Sequence, residues 1–133
     1  MAGAPSGAWD RPLLVVSMTV SGNDLSAASD QYVFVKCGNT ENTVVPAASG
    51  DIPDGVSYGT GKNGEAIDVA VAGVVKLRLA GTVKRSNVLK VTSGTNDGRA
   101  VLSTNIGAVG AKAFQDGASG ELIAALLIQG NGS

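Results

Sequence analysis

At 133 residues, with 44% apolar but only 4% aromatic side chains, the chain has the length of one domain and must build its core from Val, Ala, Leu and Ile. Ten basic and eleven acidic residues give a net charge of −1, and no like-charged run exceeds Lys84-Arg85. That excludes the basic stripe and stacking platforms of a nucleic-acid binder. With no histidine and one cysteine, Cys37, it also excludes an internal disulfide and a His/Cys zinc or iron site.

Residues 1–12 (MAGAPSGAWDRP) are small, rich in Gly and Pro and without period, and are expected to form a flexible N-terminal arm. Trp9, the only tryptophan, sits on this arm. It either folds back onto the domain's own surface or serves as an anchor inserted into a partner. The N-terminus lacks the apolar run of roughly 7–15 residues that a signal peptide needs. No segment reaches the roughly 18 apolar residues of a membrane-spanning helix. The expectation is a soluble protein made in a cytoplasm.

A β-rich domain is expected over residues 13–130, with a frayed tail at 131–133. Leu13 to Val20 reads as its first strand, ending at the turn Ser21-Gly22-Asn23-Asp24. Asp24 to Ala28 reads as a short helical turn or an irregular loop. Tyr32–Lys36 and Thr43–Val45 are the next strands, separated by the polar turn Gly38–Asn42. Ser49 to Gly55 is dense in turn formers. Val56–Tyr58 is a brief strand, and Gly59–Gly64 another turn.

The strongest signal follows. Ile67, Val69, Val71, Val75, Leu77 and Leu79 occupy alternate positions, while Asp68, Lys76 and Arg78 take the opposite parity. That is a strand with one buried and one wet face. Its 13 residues would span about 43 Å, long for a small domain. Gly73 in its middle marks a bulge, or a corner where the strand passes from one sheet to another. Val88–Val91, Ala100–Leu102 and Ile106–Val109 are shorter strands, with Gly94–Gly98 as the turn between the first two. Leu122–Ile128 is apolar at both parities and closely bracketed by glycines, which fits a strand buried on both faces. About eight short strands with glycine-bearing turns predict an all-β fold, a small single-domain β-barrel or β-sandwich.

Little in the chain offers chemistry. Gly59-Thr60-Gly61-Lys62-Asn63-Gly64 matches G-x-G-x-x-G, but a strand pattern follows it where a dinucleotide site needs a helix N-terminus. As a phosphate loop it fails too, with Val56 and Asn63 where glycine and Ser/Thr belong. Asp51, Asp54, Glu65, Asp68, Asp97, Asp116 and Glu121 lie mostly in or beside glycine turns, where carboxylates satisfy backbone amides. Cys37 ends an apolar run and has no histidine to activate it. The expectation is a non-enzyme with no catalytic residue, no cofactor and no metal.

The order of several segments carries a resemblance. Asp24-Leu25-Ser26-Ala27, Tyr32-Val33-Phe34-Val35-Lys36 and Gly50-Asp51-Ile52-Pro53-Asp54-Gly55-Val56 come first. Gly64-Glu65-Ala66, Val69-Ala70-Val71-Ala72-Gly73-Val74 and Asp97-Gly98-Arg99-Ala100-Val101 follow, then Ile106-Gly107-Ala108-Val109 and Gly120-Glu121-Leu122-Ile123. In this order they resemble the capsid decoration, or cement, proteins of tailed bacteriophages. The likeness covers residues 20–128. The Val83-Lys84-Arg85-Ser86-Asn87 connection departs from it, lacking the expected Gly-Asp turn, and the arm lies outside it.

The resemblance implies a virion protein on the outer capsid surface that reinforces the assembled head. Its partners would be the major capsid protein and further copies of itself, as a homotrimer at three-fold and quasi-three-fold positions, with neither nucleic acid nor membrane. On the arm, Trp9, Arg11 and Pro12 are the expected capsid contacts. The alternatives are a head-fibre base or tail component, and a small-ligand or glycan-binding β-barrel, for which aromatic stacking residues are few.

Overall fold

The computed structural model describes residues 9–22, 25–92, 98–103 and 108–131. These form β1 (Arg11–Val20), a 3₁₀ turn (Ala28–Asp30), β2 (Phe34–Cys37), β3 (Thr43–Pro46) and β4 (Gly55–Ser57). They continue with β5 (Ala66–Arg78), β6 (Val88–Val91), β7 (Ala100–Leu102), β8 (Ala108–Ala113) and β9 (Leu122–Asn131). The fold is all-β, as expected, with nine strands in one sheet ordered β1-β3-β2-β4-β5-β9-β8-β6-β7.

That sheet closes on itself twice. β5 pairs antiparallel with β1 along Arg11–Thr19, and β1 in turn pairs parallel with β3, so β1-β3-β2-β4-β5 forms a ring of five strands. The C-terminal half of β5 pairs with β9 at Val74–Arg78, and a parallel bridge from Leu79 to Ala100 at the start of β7 closes a second ring, β5-β9-β8-β6-β7. Closure shortens the sheet edges that would otherwise invite pairing with other chains, although β1 pairs with β3 only at Thr19 and Val20.

The long alternating strand is therefore shared. Ile67 and Val69 point into the first ring; Val75, Leu77 and Leu79 point into the second. Gly73 stands at the hand-over with φ 100°. A Cβ there would lie 2.5 Å from the Leu13 nitrogen and 2.6 Å from the Arg11 carbonyl, both backbone atoms that cannot step aside. Opposite it the register of β1 slips between Pro12 and Leu14, and again between Leu14 and Val15.

The two rings follow one hydrogen-bond plan. Val20 N–H donates to Glu65 O and Gly64 N–H to Val20 O; Leu79 N–H donates to Glu121 O and Gly120 N–H to Leu79 O. The Leu25–Gly61 bridge recurs as Val83–Gly117. Glu65 accepts from Lys62 N–H at 2.7 Å, and Glu121 accepts from Ala118 N–H at 2.7 Å. Tyr32, at φ 66°, donates its N–H to Ser57 O, and Ser86, at φ 71°, donates to Ala113 O. The chain is built as two structurally equivalent halves that share β5.

Each half has its own interior. Val20, Leu25, Val33, Val35, Val44, Ile67 and Val69 fill the first. Leu77, Leu79, Val83, Leu89, Ala111, Ile123 and Ala125 belong to the second, which also receives Phe34, Ala47, Val56 and Ala70 from the outer face of the first ring. Burying each Val, Leu or Phe completely contributes about 1.5–3 kcal/mol. This seam makes the two rings one body.

Element boundaries differ from expectation in several places. β1 starts at Arg11, so Arg11 and Pro12 lie in a strand rather than on the arm. β9 runs on to Asn131. The helical turn falls at Ala28–Asp30, and the turn expected at Gly94–Gly98 lies outside the described residues except for Gly98. The strand expected at Ile106–Val109 is β8, Ala108–Ala113; Ile106 and Gly107 lie outside the described residues. Its buried positions, Gly110, Ala111 and Ala113, are too small to register as a hydrophobic run.

Candidate functional site

Trp9 and Asp10, the described residues before β1, are held by long-range contacts. The Tyr58 hydroxyl donates to Asp10 Oδ2 at 2.8 Å and accepts from Lys76 N–H at 2.8 Å. Both the donor and an acceptor position of this half-buried phenol are thereby used. Burial pushes its pKa well up, and the neighbouring Asp10 carboxylate adds to the rise, so the hydroxyl keeps its proton throughout the physiological range. Trp9 packs on Phe114 with ring centroids 6.1 Å apart and planes tilted by 37°. That spacing lies in the favourable range for an aromatic pair.

Beneath the segment lies a polar seam. Tyr32 and Tyr58 meet edge to face at 5.1 Å, with Lys76 Nζ 5.6 Å from the centre of the Tyr32 ring. Arg78 donates from Nε to Gln31 O and from Nη2 to Ala28 O, both at 3.3 Å. The face of β5 expected to be wet is thus partly covered by the 28–32 loop. Ser57, buried, donates from its hydroxyl to Asp30 O at 2.7 Å and accepts from Val33 N–H at 3.2 Å, tying that loop to β4.

Of the expected partner contacts, Trp9 is 46% exposed, Arg11 is exposed and Pro12 is half-buried opposite Gly73. The structure joins them to an apolar strip that sequence reading did not single out. Leu13 is 82% exposed and Leu14 53%, with Val15 and Phe114 also exposed. The signal was available in Leu13-Leu14-Val15-Val16, four apolar residues in a row where a half-buried strand should alternate. Among the described residues no strand pairs with β1 on its side away from β5 between Arg11 and Met18.

Elsewhere the polar groups serve structure. Asp51 accepts from Ala48 N–H at 2.8 Å and pairs with Lys36 Nζ at 2.8 Å. Asp54 accepts from Cys37 N–H, and Asp116 from Arg85 N–H at 2.7 Å. Asp97 lies outside the described residues. The Gly59–Gly64 segment leads through a turn into β5, with Gly64 at φ 92°. Cys37 lines a cavity of about 420 Å³ with Ser21, Lys36, Asn39 and Pro46. Burial, then the charge and hydrogen bond of Asp54, raise its thiol pKa, the opposite of an activated nucleophile. Among the described residues no cluster of three or more His, Cys, Asp or Glu is placed to hold a metal ion. The surface with most to offer a partner is therefore apolar: Trp9, Leu13, Leu14, Val15 and Phe114.

No protein-family model matches the sequence, and no curated protein does. Among solved structures, the chain is similar to the N base of head fibre gp8.5 in bacteriophage phi29, at 17% identity and a TM-score of 0.67. The match covers 86% of this chain and 93% of that one. At this identity the likeness is one of fold.

Proposed function

We propose that this protein is a structural component of a tailed-phage head, bound to the outer surface of the assembled capsid and without catalytic activity. The observation that carries the reading is the fold shared with a phage head-fibre base over nearly the whole of both chains. The segment order from Asp24 to Ile123 supports it, as does the use of Asp30, Asp51, Asp54, Glu65, Asp116 and Glu121 to accept from backbone amides.

The partner in this reading is the major capsid protein. A protein that binds the assembled shell but not its free subunits stabilises the shell by mass action. Each copy need bury only a patch of about 800 Å². A homotrimer at three-fold and quasi-three-fold positions engages three patches together and is released slowly. Trp9, Arg11 and Pro12 contribute contacts from the N-terminal side.

Two roles fit this placement, a decoration protein that cements the lattice and the base of a head fibre. The structural neighbour favours the second; the sequence resemblance favours the first. Purified protein is added to heads that lack it, and the particles are imaged and heated. A cement role predicts flush density and raised resistance of the heads to heat. A fibre-base role predicts occupancy with no such gain. Failure to bind heads at any concentration sinks both. For the N-terminal contacts, removal of residues 2–12, which takes the arm and the first two residues of β1, should lower occupancy, and unchanged occupancy removes Trp9, Arg11 and Pro12 from the contact.

A further inference from the structure

We infer that Trp9 and Asp10 form a strap that clasps the two halves of the fold, and that its two ends hold or release together. This inference rests on the fold and not on the proposed role at a phage head.

The strap grips the same position in each half. Tyr58 follows β4 and donates its N–H to Asp68 O; Phe114 follows β8 and donates its N–H to Ala124 O in the equivalent bond. Asp10 takes the first of these residues through the hydroxyl, and Trp9 takes the second through its ring. The Tyr58 hydroxyl also accepts from Lys76 N–H, in the part of β5 that belongs to the second ring. One two-residue segment thus bears on the first half, the second half and the strand they share. Because Trp9 and Asp10 are adjacent, ordering either one pays most of the conformational entropy of placing the other. A contact that holds only its own end would show no such coupling.

Trp9 is the only tryptophan, so its fluorescence reports one end without interference. Hydrogen exchange of the Lys76 amide reports the other. Phe114→Ala removes the ring partner at an exposed position. It should raise acrylamide quenching of Trp9 and also speed Lys76 exchange by about two- to fivefold, the scale of weakening one hydrogen bond. Tyr58→Phe should raise Trp9 quenching although it touches nothing at that end. Asp10→Ala, which leaves every core side chain in place, should do the same and keeps the test valid if Tyr58→Phe fails to fold. The inference is overturned if Phe114→Ala leaves Lys76 exchange unchanged, or if Asp10→Ala leaves Trp9 quenching unchanged.

Discussion

The first ring and the second ring share a hydrogen-bond plan, yet they put different residues on the outside of it. Along one line of pairing the first ring carries Ala47, Phe34, Val56 and Ala70, all buried against the second ring. The equivalent line in the second ring carries Ser103, Val88, Lys112 and Leu126, none of them fully buried. The equivalence is fixed by matching bonds: Ala47 N–H donates to Phe34 O, and Ser103 N–H to Val88 O. A repeated unit with an apolar outer face would go on stacking; a lysine and a serine on the last one close the series. The receiving side differs as well, since Gly110 lets the Phe34 ring and Pro53 approach within 2.6–2.8 Å of where its Cβ would stand.

The sharpest way to break this comparison is to truncate the two equivalent side chains. Phe34→Ala empties the seam and should destabilise the fold by about 3–5 kcal/mol. Val88→Ala, at the matching site, should lower stability by about 1 kcal/mol or less because its side chain is only half-buried. Denaturant titrations of both variants check this. Comparable losses would mean that the seam is not where the two halves are joined.

Next in size is the hand-over between the rings. Gly73→Ala adds a Cβ between two backbone atoms at a positive φ and should lower stability by about 2–4 kcal/mol. Gly64→Ala and Gly120→Ala meet no atom within 4 Å, at φ 92° and 86°. Each should lower stability by about 1 kcal/mol, from the left-handed conformation alone. If the halves are equivalent, these two losses agree to within measurement error in thermal or chemical unfolding. A large disagreement would show that the two hairpins bear different loads.

The alternation in β5 was legible because its buried residues are large and its period is strict. Gly73 was legible for the same reason, as the one gap in that period. The duplication was also written in the chain, as Gly61-Lys62-Asn63-Gly64-Glu65-Ala66-Ile67 and Gly117-Ala118-Ser119-Gly120-Glu121-Leu122-Ile123. Only Gly61/Gly117, Gly64/Gly120, Glu65/Glu121 and Ile67/Ile123 match between the copies, too few identities to stand out without the matching hydrogen bonds. β8 was less legible because Gly110, against which the Phe34 ring lies, and the buried Ala111 and Ala113 offer no run of large apolar side chains. For Trp9 the chain leaves two readings open, folding back onto its own domain or anchoring a partner; the structure packs it on Phe114 of its own domain. Nothing local in a sequence ties position 9 to position 114, or Asp10 to Tyr58.

The smallest expected effect is that of a single charge in the first half. Lys36 and Asp51 form an ion pair that both lie in the first ring, with N and O 2.8 Å apart and each side chain about a third exposed. The hydrogen bond from Lys36, helped by Ala48 N–H and opposed by partial burial, holds the Asp51 carboxyl below its ordinary value. A carboxyl whose folded pKa is depressed stabilises the fold above its unfolded pKa, near 4. That contribution fades as the pH drops through the unfolded value and is gone below the depressed one. At this exposure the pair is worth about 0.5 kcal/mol, and less in high salt. Asp51→Asn should therefore lower stability slightly at pH 7 and by less at pH 2.5, measured at low ionic strength. An equal loss at both pH values would assign the effect to the Ala48 turn rather than to the charge.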